Sequence, residues 1–159
     1  MKVNYRLAEE RDLEGAHHIM VEALDQFALQ MGRPLVEIDF EDYLPLWHHF
    51  LATSDEGFWV AEEKNQVVGF GYGHFKETPA EILIRWGASK VAEITLVVVD
   101  PQYQNRGIGT ALLQKLLEEF KKASADLVTL HCPADAKAAK HLYDKLGFEV
   151  RAYHMKKTL

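Results

Sequence analysis

Residues 92–99 (Ala-Glu-Ile-Thr-Leu-Val-Val-Val) form an apolar, β-branched run with no Gly or Pro. Such a run predicts a buried strand. Asp100-Pro101 stops it, and Gly107-x-Gly109 opens the next element. Leu112, Leu113, Leu116, Leu117 and Phe120 then recur on one face, predicting a helix over 107–122. A buried strand passing through a tight turn into an amphipathic helix needs helices packed on a sheet, which is an α/β layer architecture.

The rest of the chain fits that frame. Residues 3–7 alternate and predict a strand. Leu13, Ala16, Met20, Leu24 and Phe27 predict a helix over 11–30, ended by Gly32-Arg33-Pro34. A second helix is predicted from Asp39, with Phe40, Tyr43, Leu44, Trp47 and Leu51 on its face and Pro45 inside it. Strands are predicted at 57–62 and 66–75, joined by a turn at Lys64-Asn65. Between 76 and 90, Ile82–Trp86 reads equally as a short strand or a helical turn. A strand at 126–132, a helix at 135–146 and a C-terminal strand region at 148–156 complete the order β-α-α-β-β-β-α-β-α-β.

Length and composition set bounds. A chain of 159 residues with 48% apolar residues is long enough for one core and predicts a single domain over 1–159. No apolar run is long enough for a membrane span. One cysteine, Cys132, excludes an internal disulfide and a multi-cysteine metal site, and suits a reducing, cytoplasmic setting. Residues 1–63 hold 4 Lys/Arg against 14 Asp/Glu, and residues 64–159 hold 14 against 10. The acidic front argues against nucleic acid as a partner. The split suits an anionic ligand at the back and a cationic one at the front; taken alone, an unevenly charged, solvated surface explains it more simply.

The segment after Val99 carries the chemistry. Free N–H groups at a helix start bind anions, and the helix dipole adds to this. Gly107 and Gly109 admit close approach and positive φ, and Arg106 adds a full charge. A phosphate or pyrophosphate site follows. A P-loop would need Gly-Lys-Ser/Thr, but Thr110-Ala111 follows Gly109. A dinucleotide fingerprint would need a third small residue where Leu112 stands.

Gln104-x-x-Gly107-x-Gly109, placed after Val99-Asp100-Pro101, resembles the acetyl-CoA motif of the GNAT superfamily of N-acetyltransferases. Ala139-x-x-x-Tyr143-x-x-x-Gly147-Phe148 resembles that family's final helix and exit. The resemblance implies a mixed sheet of six to seven strands, splayed at the cofactor site and flanked by about four helices. It divides the chain into an acceptor-side lobe (1–63), the acetyl-CoA motif (92–122) and a C-terminal β-α-β unit (126–156). It implies that acetyl-CoA lies along Val97, Val98 and Val99, with its pyrophosphate over Gln104, Asn105, Arg106, Gly107, Ile108, Gly109 and Thr110. A backbone N–H near Val98 or Val99 would stabilise the oxyanion. Tyr143 would protonate the departing thiolate; by spacing alone it reads as a packing residue. Glu93 would serve as general base, as in some lysine-acetylating members, or is simply a strand-edge carboxylate. Many members carry Asn seven residues before the tyrosine, where Ala136 stands here.

Other residues leave alternatives open. Gly69, Gly71 and Gly73 share one strand face, which marks either a ligand or a tightly packed helix. Adjacent histidines at 17–18 and 48–49 lack the spacing of a helical metal site, so no metal is expected. Cys132 offers a covalent route or is a small buried thiol. Lys137 and Lys140 offer charge to the 3′-phosphate of coenzyme A or are solvated. The expectation is an acetyl-CoA-dependent transferase acting on a small-molecule or peptide amine by direct attack, with no metal and no membrane partner. The resemblance also allows a homodimer. The alternative is a non-catalytic acyl-CoA-binding sensor.

Overall fold

The computed structural model describes residues 2–53 and 57–159. The elements are β1 (Asn4–Leu7), α1 (Leu13–Gln30), α2 (Phe40–Thr53), β2 (Phe58–Glu63), β3 (Gln66–Phe75), α3 (Ala80–Trp86), β4 (Val91–Val99), α4 (Ile108–Lys122), β5 (Leu127–Leu130) and α5 (Lys137–Lys145). Short 3₁₀ turns at Glu10–Asp12 and Pro101–Tyr103 precede α1 and α4. The strands form one sheet in the order β1-β2-β3-β4-β5, antiparallel except for the parallel β4–β5 pair.

Two layers of side chains cover the sheet. On one face, Leu13, Ala16 and Met20 of α1 and Trp47 and Phe50 of α2 pack on Phe58, Val60, Phe70 and Tyr72. Leu96 and Val98 join that cluster from β4. On the other face, Leu113, Leu116 and Phe120 of α4 pack on Ala92 and Ile94. Pro45 removes one internal hydrogen bond from α2 without ending it. His17 fastens this layer. It accepts the Trp47 indole N–H at Nδ1 (3.2 Å), and its Nε2–H donates to the Ile38 carbonyl (2.9 Å). No helix among the described residues is long and apolar enough to cross a membrane.

The three alternating glycines are explained by α4. A Cβ on Gly69 would stand 3.2 Å from Ile108, and one on Gly71 3.0 Å from Leu116. A Cβ on Gly73 would meet the Glu93 carbonyl at 2.7 Å and the Phe120 ring at 2.8 Å. Neither neighbour of Gly73 can retreat, because one is backbone and the other is a core ring. Gly73→Ala is therefore expected to lower the unfolding free energy by about 1–3 kcal/mol, read as an earlier urea midpoint.

Parts of the sequence-based architecture need correction, and its one open stretch is decided. The described residues hold five strands, not six to seven, and five α-helices, not four. The ambiguous stretch before β4 is a helix, α3. Residues 148–156 form no strand, and from Glu149 onward every residue is exposed. Alternation can pattern a strand, but a strand forms only against a partner edge. The nearest edge, β5, is four residues long and shorter than the 126–132 expected, and it pairs with β4 alone.

Candidate active site

The β4–β5 ladder ends early. Its pairs run from Val91↔Leu127 to Ile94↔Leu130, while β4 continues to Val99. Residues 96–99 thus keep β3 on one edge and have no β5 partner on the other. The unpaired stretch includes Val97–Val99, where the resemblance implies a splay, and backbone polar groups line that edge. The side chains divide as a core strand requires: Leu96 and Val98 go toward α1 and α2, and Val97 and Val99 toward α4.

The loop after β4 leads into the N-terminus of α4. The Asp100 carboxylate accepts the Gln102 N–H at 2.8 Å and starts the turn. The Gln104 side-chain amide donates to the Val99 carbonyl at 3.3 Å and ties the loop back to the strand. Asn105 and Gly107 both adopt positive φ, at 61° and 82°. The first helical bond runs from the Ala111 N–H to the Gly107 carbonyl, so the N–H groups of 108–110 have no helical acceptor. A Cβ on Gly107 would meet nothing within 4 Å, so the space above this turn is open. Arg106 folds over it, donating to the Gln102 carbonyl at 2.9 Å with its guanidinium 4.8 Å from the Tyr103 ring centre. Three free N–H groups and one guanidinium thus stand at a single turn, an arrangement that suits an anion.

Tyr143 stands on α5 in the same cluster as Val97, Leu130 and Phe148. Its ring meets Phe148 edge-on at 5.8 Å. Burial raises its hydroxyl pKa, and Cys132 adds to the shift, so the phenol holds its proton through the neutral range. Burial likewise raises the Cys132 thiol. Lys137 and Lys140 are both exposed, and Lys140 is engaged by Asp144 at 2.8 Å. Ala136 caps α5 without a side-chain hydrogen bond.

Glu93 is apart from this group. It lies four residues before Val97, about 13 Å down an extended strand. Its carboxylate pairs with Lys76, just past the end of β3, so it turns away from the splay. Sequence reasoning did not find this pair, nor the polar pair beside it. His74, the cross-strand partner of Glu93, has Nδ1 3.4 Å from Thr95 Oγ1 and its ring stacked on Tyr72 at 5.7 Å. A bulge between Tyr72 and Gly73 brings these residues into line.

Comparison with known proteins agrees with this geometry. Residues 18–148 match the model of the acetyltransferase (GNAT) family. An uncharacterized N-acetyltransferase of Methanocaldococcus jannaschii is 36% identical over 99 residues, covering 62% of this chain and 42% of that protein. This chain thus spans less than half the length of that relative. The [ribosomal protein bS18]-alanine N-acetyltransferase of Escherichia coli is 31% identical over 109 residues, covering 66% of this chain and 74% of that enzyme. Among solved structures, a predicted acetyltransferase with acetyl-CoA from Clostridium acetobutylicum superposes with a TM-score of 0.71 at 22% identity, covering 99% of this chain and 96% of that one. With the family match spanning most of the fold, from α1 to the exit of α5, the chain belongs to the GNAT family of acetyltransferases.

Proposed function

We propose that the protein is an acetyl-CoA-dependent N-acetyltransferase that moves an acetyl group to a primary amine within a ternary complex. The observation that carries this reading is the stretch of β4 beyond its last β5 pair, leading through one short turn into the open, cation-bearing start of α4. Val97–Val99 offer a backbone edge to the pantetheine arm. Residues 104–110 offer N–H donors and Arg106 to the pyrophosphate. A backbone N–H at the splay meets the oxyanion, and Tyr143 supplies the proton that the leaving thiolate needs. Glu93 is the terminal proton acceptor on the acceptor side. Its carboxylate is engaged by Lys76 and turned from the splay, so it acts through an intermediary.

The acceptor is a cationic small amine or a peptide amine. Between α1 and residues 35–39 lies a cleft of about 580 Å³ lined by Val21, Leu35 and Ile38 together with Asp25, Glu37 and Asp39. Carboxylates around an apolar floor favour an ammonium on an aliphatic body. The relative from Escherichia coli, by its name, acetylates a protein alanine. A cytoplasmic setting, where acetyl-CoA is made and used, goes with this reading.

Thiol release from acetyl-CoA with spermidine, with neutral amino sugars and with a peptide carrying an N-terminal alanine tests the proposal. Release that requires one of these amines is the expected result, with the cationic acceptors ahead of the neutral ones. Tight acetyl-CoA binding by calorimetry without release to any amine would instead favour the sensor reading.

A further inference from the structure

We infer that His74 is the residue that takes the proton from the attacking amine, with Glu93 behind it. This rests on the acetyltransferase reading above and identifies a residue that reading leaves unnamed. His74 and Glu93 are cross-strand partners on β3 and β4, so their side chains stand on the same face of the sheet. It is the face opposite α4, because their neighbours Phe75 and Ala92 pack toward Phe120. The two side chains lean in opposite directions along the strands. Lys76 draws the Glu93 carboxylate toward the start of β4. Thr95 draws the His74 imidazole toward the end of β4.

Thr95 is the first β4 residue beyond the last β4–β5 pair, Ile94↔Leu130. It is also the extra residue of the bulge, since Tyr72 pairs with Leu96 and Gly73 with Ile94. The imidazole therefore sits at the mouth of the splay, and the carboxylate sits further down. Bulges recur where a sheet must redirect a side chain. The ring is fixed on two sides, by its stack on Tyr72 and by Thr95. Tyr72 is held in turn by the hydrogen bond between its hydroxyl and Thr53 Oγ1 at 2.9 Å. With Nδ1–H donating to Thr95 Oγ1, the Nε2 lone pair is free to accept a proton. Imidazole is the side chain that takes and releases protons near neutral pH, and among the described residues the charged groups beside it on β3 and β4 are Glu93 and Lys76.

The proton balance closes. An ammonium acceptor gives one proton to His74 Nε2 and becomes nucleophilic. Its nitrogen bonds to the thioester carbon, and the carbon–sulfur bond breaks. The thiolate takes the Tyr143 proton, and the nitrogen's remaining excess proton restores Tyr143. The imidazolium then passes its proton through water to Glu93, the terminal acceptor, which returns it to solvent.

The test is His74→Gln and His74→Ala beside wild type, using thiol release with spermidine and with the alanine peptide across pH. We expect kcat/KM at neutral pH to fall about 100-fold in both variants. We expect the acidic limb of the wild-type profile to vanish in them. Added imidazole should restore part of the rate to His74→Ala, and calorimetry should show wild-type affinity for acetyl-CoA. Thr95→Val, which frees the ring without removing it, should lose a smaller factor and keep the limb. Wild-type rates in the His74 variants would overturn the proposal. So would a lost rate with the acidic limb intact and no imidazole rescue. No release by wild type with either amine would overturn the acetyltransferase reading and this proposal with it. Turnover by wild type that is indifferent to His74 would overturn this proposal alone.

Discussion

Tyr143→Phe is expected to lower kcat by between about 100-fold and 1,000-fold, while acetyl-CoA affinity stays close to wild type. The substitution removes one oxygen and leaves the packing. The ring keeps its edge contact with Phe148 and its packing against the core beneath α4, so α5 stays docked. What disappears is a proton donor that burial keeps protonated well above neutral pH. Thiolate departure then depends on water, which a half-buried position supplies poorly. An interaction made only as the carbon–sulfur bond breaks should appear in kcat and kcat/KM together. Single-turnover thiol release, with calorimetry beside it, reads both quantities. An unchanged kcat in a variant that binds normally would remove Tyr143 from the chemistry and leave it a packing residue. A second signature separates the two proton roles. Loss of the acid should depress the rate across the whole pH range, whereas loss of His74 should reshape its acidic side.

What was legible in the sequence was local. The apolar spacing from Leu112 to Phe120 specifies one face of α4 whatever it packs against, and that face is buried as expected. The run of 92–99 and the turn at Asp100-Pro101 specify β4 and its end in the same way. The candidate anion site was legible because Gln104, Arg106, Gly107 and Gly109 lie within six consecutive residues. Pairings that join distant segments were not legible. Lys76–Glu93 and His74–Thr95 depend on a cross-strand register that a single bulge shifts, and no local pattern encodes the bulge. The tail from Glu149 onward has strand-like alternation, but alternation does not say whether an edge is there to receive it. The acidic front half, read as a surface that attracts cations, proves to spend part of its charge internally. Glu10 engages His48, Glu9 engages Arg11, and Asp12 and Glu62 share Arg6.

That last cluster carries the largest expected effect on stability. Arg6→Leu should lower the unfolding free energy at neutral pH by about 3 kcal/mol or more. Arg6 lies on β1 and binds Asp12 through both terminal nitrogens, at 2.7 and 2.8 Å. The same guanidinium reaches Glu62 on β2, with Nε at 3.1 Å. One cation thus ties the edge of the sheet to the entry of α1. Asp12 is only 4% exposed and also accepts the Glu9 N–H at 2.8 Å. Burial alone would raise its pKa; the hydrogen bonds from Arg6 and Glu9 outweigh burial and leave it below the ordinary carboxylate value. A depressed carboxyl contributes stability that is present above its unfolded pKa and lost as pH falls through its folded one. The gap between wild type and Arg6→Leu should therefore be widest near neutrality and narrow on acidification, as protonation removes the charge that Arg6 compensates. In the double variant Arg6→Leu/Asp12→Asn the buried carboxylate is gone, so part of the loss should be recovered at pH 7. Urea unfolding of the three proteins at neutral and acidic pH decides the matter. A gap that is constant with pH would mean that Arg6 contributes packing along its aliphatic stem, not charge compensation.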